Sequence, residues 1–375
     1  MEGARRGNVA FTVVVTLLVC LGALPVLVVL GLSGAPSSML LATVLAAVPV
    51  GPLVACYLWL DRYEPEPRAL LVAGLLWGGF VATAGALVVQ GVGGWFVGFS
   101  ERQSLAVVAP VTEELTKGLF LVLLLWWRRN ELDGVLDGIV YAGMVGIGFA
   151  FVENILYLAV AFTGSDGTAG GTSALTTVFV MRCLLSPFAH PLFTTFTGIG
   201  VGIAVGSRSR AVRIVAPLIG YAVAVTAHAI WNGSTLYGFT GFAGAYVAVM
   251  APAFIGMVAL AIWSRRSEQR MLLASLTDAA QRGLIPATDI GWLVSLRARR
   301  ASRAHALQHG GPQAHRAMRD YQQAAIELGF LHHRFLRGTP PPDFAARGQF
   351  YVQRIAAARP FVIFPGQVVP RQVVR

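Results

Sequence analysis

Two adjacent glutamates and a lysine lie inside an otherwise apolar stretch of the chain. The segment VTEELTKGLFLVLLLWW carries Glu113, Glu114 and Lys117, and its spacing places the lysine on a helix face shared with both carboxylates. Lys117 is the only lysine in the chain, and the 28 other basic residues are arginines. A charge inside a bilayer costs about 2.5–3.5 kcal/mol on insertion scales. Two carboxylates beside one ammonium leave a surplus acid, which favours a functional role over an ion pair that only neutralises itself.

Further polar residues lie in the apolar stretches that follow. GFAFVENILY carries Glu153 and Tyr157 at a spacing that places them on one helix face, FAHPLFTTF carries His190, and AHAIWN carries His228 and Asn232 one turn apart. Each of these residues alone is compatible with a packing or hydrogen-bonding role between helices. Two histidines together with three glutamates on neighbouring stretches indicate a polar site.

Glutamate and histidine side chains suit two kinds of hydrolytic chemistry. They are ligands of Zn²⁺, and catalytic zinc sites keep one position for water, whose proton a spare carboxylate can take. Alternatively, one glutamate activates water without a metal while a His–Asn pair stabilises the oxyanion. Both routes predict amide hydrolysis in a dry cavity. A transporter with the same residue types is the alternative from another class, and it predicts an internal repeat that the two halves of the chain do not display.

The elements that must position these residues are membrane-spanning helices. Of the 375 residues, 55% are hydrophobic and 13% charged, with a mean hydropathy of +0.65. A bilayer core about 30 Å thick takes roughly 20 helical residues to cross. We predict an all-α, polytopic transmembrane bundle of about eight spans, at residues 10–32, 38–60, 69–91, 104–127, 135–161, 174–206, 212–236 and 241–263. The sixth span is too long for one straight crossing, and prolines near its middle predict a broken helix.

Topology and depth place the polar residues together. Basic residues fall in alternate connections, which predicts that both termini are cytoplasmic. Glu113, Glu153 and His228 each lie about 12–14 Å from the outer end of their predicted spans, and His190 lies somewhat deeper. Antiparallel neighbours therefore bring carboxylates and imidazoles to a similar level.

Charge divides the chain into regions. Ser264 to Arg375 contains 17 arginines and six acidic residues, whereas the preceding part is balanced. We predict an N-terminal start with the first span at 1–37, a transmembrane core at 38–263, and a basic, partly helical cytoplasmic tail at 264–375 with a floppy end. The tail's basicity indicates affinity for anionic lipid or simple solubility. Nucleic acid is not an expected partner.

Several of these motifs together resemble a known family. EELTK at 113–117, FAFVEN at 149–154, His190 and the HAIWN segment are similar to the motifs of the PrsW family. These are bacterial intramembrane proteases, related to the type II CAAX prenyl endopeptidases and the bacteriocin-immunity proteases. The loop DRYEPEP after the second span is typical of PrsW-like proteins as well. The resemblance covers about residues 38–263.

The resemblance implies catalytic roles for both glutamates of EELTK. We expect Glu113 to activate water, Glu114 to be its partner or a ligand, and Lys117 to hold one carboxylate ionised. Asn232 is expected to orient a histidine or to bind the oxyanion. Glu153, His190 and His228 are expected to be ligands of Zn²⁺ or stabilisers of the transition state, although Glu153 stands where the prenyl endopeptidases tend to carry a histidine.

The resemblance also implies a setting. It predicts a metalloprotease of the bacterial plasma membrane that cleaves a single-span membrane protein, such as an anti-sigma factor. Relatives of one fold share the bundle without sharing substrates, so the substrate itself does not follow from the fold.

Overall fold

The computed structural model describes residues 2–32, 36–63, 65–164 and 169–366, and within these ranges every regular element is helical. In lipid, each backbone N–H and C=O must find its partner inside the segment, and a helix meets this requirement. The predicted all-α transmembrane bundle is confirmed. Two compact units are distinguished, one formed by Met1–Asp61 with Pro65–Ile262 and one by Arg62–Glu64 with Trp263–Arg375.

The first unit is built from long helices, several of which contain a π-helical segment. In chain order its elements are α1 (Glu2–Leu32), α2 (Pro36–Ala47), α3 (Val50–Leu60), α4 (Arg68–Leu76), π1 (Trp77–Ala82), α5 (Thr83–Val97), α6 (Glu101–Gln103), π2 (Ser104–Val108), α7 (Ala109–Trp127), α8 (Val135–Thr163), α9 (Thr172–Phe179), π3 (Val180–Leu185), α10 (Ala189–Val205), α11 (Arg210–Ser234), α12 (Gly238–Ala245), π4 (Tyr246–Met250) and α13 (Ala251–Gln281).

Six helical stretches in the described part of the chain are long and apolar enough to cross a membrane. They are Val9–Leu32, Pro36–Leu60, Arg68–Val97, Val135–Thr163, Thr172–Val205 and Arg210–Gln281. The last one contains both the seventh and the eighth predicted spans. The fourth predicted span corresponds to π2 and α7, which carry three charged residues. The number of crossings and the orientation of the termini stay predictions.

The sixth predicted span is broken, as its prolines indicated. Its first half ends with π3 at Leu185, and α10 begins at Ala189. Pro187 lies in the three-residue gap between the two helices. A π-helical segment is common at functional sites because it widens one turn and redirects the side chains there.

Helix α8 lies at the centre of the first unit, and glycines allow its neighbours to approach closely. A Cβ atom at Gly138 would lie 2.0 Å from the carbonyl oxygen of Gly198 on α10. A Cβ atom at Gly148 would lie 2.0 Å from the carbonyl oxygen of Leu75 on α4. The first contact holds the backbone of α10 against that of α8, and the FAHPLFTTF motif with His190 therefore lies beside Glu153.

The DRYEPEP loop is fixed by buried carboxylates. The backbone N–H of Glu66 donates to Asp61 Oδ2 at 2.9 Å, and the Tyr141 hydroxyl donates to Glu66 Oε2 at 2.5 Å. Burial raises the pKa of Asp61 to about 8 and raises the pKa of Glu66 well above its usual value. Asp61 and Glu66 therefore have a structural role in the first unit.

The second unit is more ordered than the predicted partly helical tail. It contains the end of α13 together with α14 (Ile290–Val294), α15 (Leu296–Leu336) and α16 (Phe344–Ala358), and these helices enclose their own apolar core. Helices α15 and α16 are separated by a segment that contains the sequence PPPD at 340–343. The predicted floppy end falls largely on residues 367–375, which lie outside the described residues.

Candidate active site

Helix α7 places its two glutamates and its lysine in the interior of the first unit. Lys117 Nζ lies 2.9 Å from Glu114 Oε1 and 3.5 Å from Glu113 Oε2. Lys117 and Glu114 are 0% exposed, and Glu113 is 4% exposed. The face that the spacing predicted is therefore the one turned away from lipid.

Both histidines meet this carboxylate helix. His228 Nδ1 on α11 lies 3.0 Å from Glu114 Oε1, and His190 Nδ1 on α10 lies 3.1 Å from Lys117 Nζ. The two imidazole rings lie with their centroids 5.1 Å apart. Three helices thus bring together residues that are more than 70 positions apart in the chain.

Glu114 has partners on both carboxylate oxygens. Oε1 accepts from Lys117 and from His228, and Oε2 accepts from the Thr194 hydroxyl at 3.0 Å. Since an ionised carboxylate only accepts, the proton of the His228 ring lies on Nδ1. In the neutral imidazole this tautomer leaves the lone pair on Nε2.

Glu113 is much less constrained by hydrogen bonds. Its Oε1 accepts a long bond of 3.4 Å from Gln90, while its Oε2 and His228 Nε2 are buried without any hydrogen-bond partner in the described part of the chain. These two atoms lie 3.7 Å apart. Buried polar atoms are rarely left without a partner, so the pair is a candidate position for a water molecule or an ion.

The residues present fit a metal ion. Glu113, His190 and His228 each offer one ligand atom, and these atoms all lie within 4.8 Å of one another. The Glu114 carboxylate on His228 Nδ1 is the outer hydrogen bond that orients metal-binding histidines. Both ring nitrogens of His190 already have partners, because Nδ1 faces Lys117 and Nε2 faces Glu153 at 2.7 Å. One of these contacts must open for His190 to bind a metal.

Glu153 lies in a different environment from the one expected of a metal ligand. Its Oε2 atom contacts both the Arg182 guanidinium and His190 Nε2. The group with metal-ligand geometry contains Glu113 in its place. The geometry therefore favours Glu113, His190 and His228 over the predicted set of Glu153, His190 and His228, because Glu153 already neutralises an arginine.

Arg182 is the site residue that the sequence analysis missed. It lies in π3, donates from Nε to Asn154 Oδ1 at 2.8 Å, and its guanidinium carbon lies 4.0 Å from the centroid of the Tyr157 ring. An arginine within a predicted span was itself a signal, since such residues are rare in membranes and mark functional positions. With it, the cluster has three carboxylates and two basic side chains, Lys117 and Arg182.

Asn232 lies one turn from His228 on α11, and among the described residues no hydrogen bond joins the two side chains. Its Nδ2 donates to the carbonyl oxygen of Leu105 at 3.3 Å. It lines a cavity of about 300 Å³ together with His190, Arg182 and Asn154. Of its two predicted roles, this position suits a contact with substrate better than the orientation of His228.

Comparison with known proteins gives a consistent result. A family model described as PrsW family intramembrane metalloprotease matches residues 66–257. The chain is 29% identical to Protease PrsW of Geobacillus kaustophilus (strain HTA426) over 160 residues, which are 42% of this chain and 65% of that protein. It is 30% identical to Protease PrsW of Clostridioides difficile (strain 630) over 153 residues, 39% of this chain and 60% of that protein.

The chain thus spans less than two thirds of the length of these curated relatives. No solved structure matches it. The bacterial relatives and the apolar helices together make this a bacterial membrane protein. Because the matched half of the sequence contains the carboxylate helix, the broken arginine helix and both histidine helices, the chain belongs to the PrsW family of intramembrane metalloproteases.

Proposed function

We propose that this protein hydrolyses a peptide bond of a membrane-anchored protein inside the bilayer. The observation that carries the proposal is the pair of buried atoms Glu113 Oε2 and His228 Nε2, which lie 3.7 Å apart and make no hydrogen bond within the described part of the chain. One is a carboxylate oxygen and the other an imidazole nitrogen, and both accept protons. Hydrolysis requires such a group beside the attacking water.

Glu113 is the proposed general base. Its Oε2 atom has no hydrogen bond to give up, whereas both oxygens of Glu114 are occupied by Lys117, His228 and Thr194. A carboxylate with a free oxygen can take the proton of a water molecule and pass it to the leaving amine. A carboxylate that already binds three donors would lose those bonds first.

Glu114 and Lys117 are the proposed positioning residues. Glu114 holds the Nδ1 proton of His228 and so directs Nε2 towards Glu113. Lys117 Nζ lies 3.5 Å from Glu113 Oε2 and attracts that carboxylate directly. Both effects are strong in a buried site, because little water screens the charges.

We propose Zn²⁺ as the metal and Glu113, His190 and His228 as the residues that hold it, so that Glu113 would use one carboxylate oxygen as a ligand and the other as the base. When bound, zinc polarises a carbonyl oxygen and lowers the pKa of water. The three neighbouring ligand atoms and the surplus of carboxylates over the two basic side chains, Lys117 and Arg182, support this assignment. The metal content of purified Glu113→Gln protein separates the two roles of Glu113: a ligand role predicts loss of zinc, and a purely basic role predicts that zinc is retained without activity.

Asn232 is proposed to act on the substrate carbonyl. One N–H of its side chain is donated to Leu105, and the second is available to the developing oxyanion.

The substrate and the location of the protein in the cell are also proposals, and they rest on the family resemblance. The proposed substrate is a single-span protein such as an anti-sigma factor, and the proposed location is the plasma membrane, with cytoplasmic termini.

The experiment is co-expression of the full chain with a panel of tagged single-span membrane proteins. Wild-type protein is expected to shorten at least one of them. Glu113→Gln protein is expected to reach the membrane in the same amount and to leave every substrate intact. The matched control is Glu101→Gln, an exposed glutamate at the start of the same helical stretch, which is expected to cleave like wild type. Cleavage by Glu113→Gln at the wild-type rate contradicts the proposal.

A further inference from the structure

The cavity beside the polar cluster is lined by both polar and apolar side chains. Its volume is about 300 Å³, which is at the lower limit of sites that hold ligands. His190 and Arg182 lie in its wall, so the cavity reaches the cluster directly. The rest of the wall includes the aromatic pair Trp231 and Phe242, whose ring centroids lie 4.7 Å apart, and Val178.

A transmembrane substrate must lose its helical hydrogen bonds before it can be hydrolysed. In an α-helix each carbonyl oxygen accepts from the N–H four residues later, so the attacked carbonyl is not accessible. Each backbone group that is freed in apolar surroundings costs several kcal/mol unless it finds a new partner. A protease in a membrane therefore needs donors and acceptors that bind an extended stretch of substrate backbone.

Arg182 and Asn232 supply both kinds of group to the cavity. Arg182 uses Nε and Nη2 for Asn154 and Glu153, whereas Nη1 has no hydrogen-bond partner in the described part of the chain. Asn232 uses Nδ2 for Leu105, and its Oδ1 likewise has no partner among the described residues. One group donates and the other accepts, which is what an extended peptide requires.

We propose that this cavity binds the unwound substrate segment beside the cleaved bond, with a bulky apolar side chain packed between Trp231, Phe242 and Val178, and its backbone held by Arg182 and Asn232. The inference rests on the proposed proteolysis and adds its substrate class. Preferred substrates carry a large apolar residue such as Phe or Leu next to the scissile bond. His190 lines the same cavity and belongs to the polar cluster, so the bound segment lies beside the groups proposed to perform the reaction.

The selectivity test uses purified full-length protein in liposomes. The probes are synthetic single-span peptides of about 24 residues with a Leu/Ala core, lysine ends and a central Gly–Xaa–Gly, where Xaa is Phe, Leu or Ala. Wild type is expected to cleave the Phe and Leu peptides with kcat/KM about 10–100-fold above the Ala peptide. Val178→Phe, which fills the cavity, is expected to lower this preference to nearly one.

The matched control is Val160→Phe, which adds the same side chain to a lipid-exposed position outside the cavity and is expected to keep the preference. Because the preference is a ratio of two rates in one preparation, a partly unfolded sample does not change it. An unchanged preference in Val178→Phe overturns the proposal. Arg182→Lys, which keeps the charge beside Glu153 but loses the planar donor group, is expected to raise KM about tenfold. An unchanged KM contradicts the role of Arg182.

A binding test separates this inference from proteolysis itself. A peptide with benzoyl-phenylalanine at Xaa is irradiated with Glu113→Gln protein, and the cross-linked residue is mapped by mass spectrometry. Cross-links to Met181, Val178 or Trp231 support the cavity even if wild type cleaves no peptide, in which case only the proposed function fails. Cleavage by wild type with cross-links elsewhere, or with none, overturns the cavity assignment and leaves proteolysis standing.

Discussion

Replacing Glu114 by glutamine tests the hydrogen-bond network that orients the site. The change keeps the size of the side chain and removes its charge and one acceptor oxygen. In the native site the carboxylate accepts from Lys117, Thr194 and His228 at 2.9–3.0 Å. The glutamine offers one acceptor oxygen to these three donors, and its NH₂ group faces at least one of them.

The magnitude follows from these lost bonds. A buried donor left without a partner costs about 1–3 kcal/mol, so the free energy of unfolding is expected to fall by that amount. Loss of the outer hydrogen bond to a metal-binding histidine typically lowers metal affinity about 10–100-fold. In Glu114→Gln the Lys117 ammonium still has the Glu113 carboxylate 3.5 Å away. The fall in the free energy of unfolding is therefore expected to be smaller than for a buried ion pair that loses one partner completely.

The assay is a zinc competition titration of the purified protein against a chelator of known affinity, with thermal unfolding measured on the same samples. Glu101→Gln is the control, because that side chain is exposed and lies outside the cluster. Glu114→Gln is expected to bind zinc more weakly than both wild type and the control. A zinc affinity within twofold of wild type would refute the idea that Glu114 orients His228 for metal binding.

Two further predictions concern the fold. The pKa of Asp61 is raised from 3.8 to about 8, so the folded state holds the proton more tightly than the unfolded state, and this contribution to stability is lost as the pH rises from about 4 to about 8. Asp61→Asn is therefore expected to flatten the pH dependence of the melting temperature and to raise it at pH 8; an unchanged profile contradicts this. Gly148→Ala is expected to lower the free energy of unfolding by about 1–3 kcal/mol, because its Cβ would lie 2.0 Å from the Leu75 carbonyl oxygen. Gly51→Ala, with nothing within 4 Å of its Cβ, is the control and is expected to change it by less than about 0.5 kcal/mol; equal effects in denaturant titrations would refute the packing argument.

Much of the site was predictable, because helical periodicity and depth are properties of the sequence. The spacing of Glu113, Glu114 and Lys117 fixes their shared face in any helix. The positions of His190 and His228 within their spans fix their level in the membrane. The free-energy cost of a charge inside the bilayer also predicted that these residues lie together, since charged side chains in a membrane pair with one another.

The partner of each carboxylate was not predictable. Whether Glu113 or Glu153 belongs to the group with metal-ligand geometry depends on the rotation of α7 and α8 about their axes, and that rotation is set by packing. Arg182 pairs with Glu153 on α8, and it lies in the π-helical segment just before the break at Pro187. Sequence periodicity does not give the direction of a side chain in such a segment.

The fold shows the same division. Long apolar runs predicted the helices, and the prolines of the sixth span predicted its break. The second unit was underestimated because α13 runs from the apolar region into the basic region without interruption. Its core is formed by residues far apart in sequence, such as Leu272 and Phe364, and local composition does not reveal such contacts.

The most direct test of the account is the rate at which purified protein in liposomes cleaves a single-span peptide, compared between wild type and Glu113→Gln. Glu113 Oε2 is the buried carboxylate oxygen without a hydrogen-bond partner that faces His228, so its loss removes the proposed base while the bonds of Glu114 remain. The account predicts a rate about 10²–10⁴-fold lower in a variant that still folds and inserts. Cleavage by Glu113→Gln at a rate within a few-fold of wild type would contradict it.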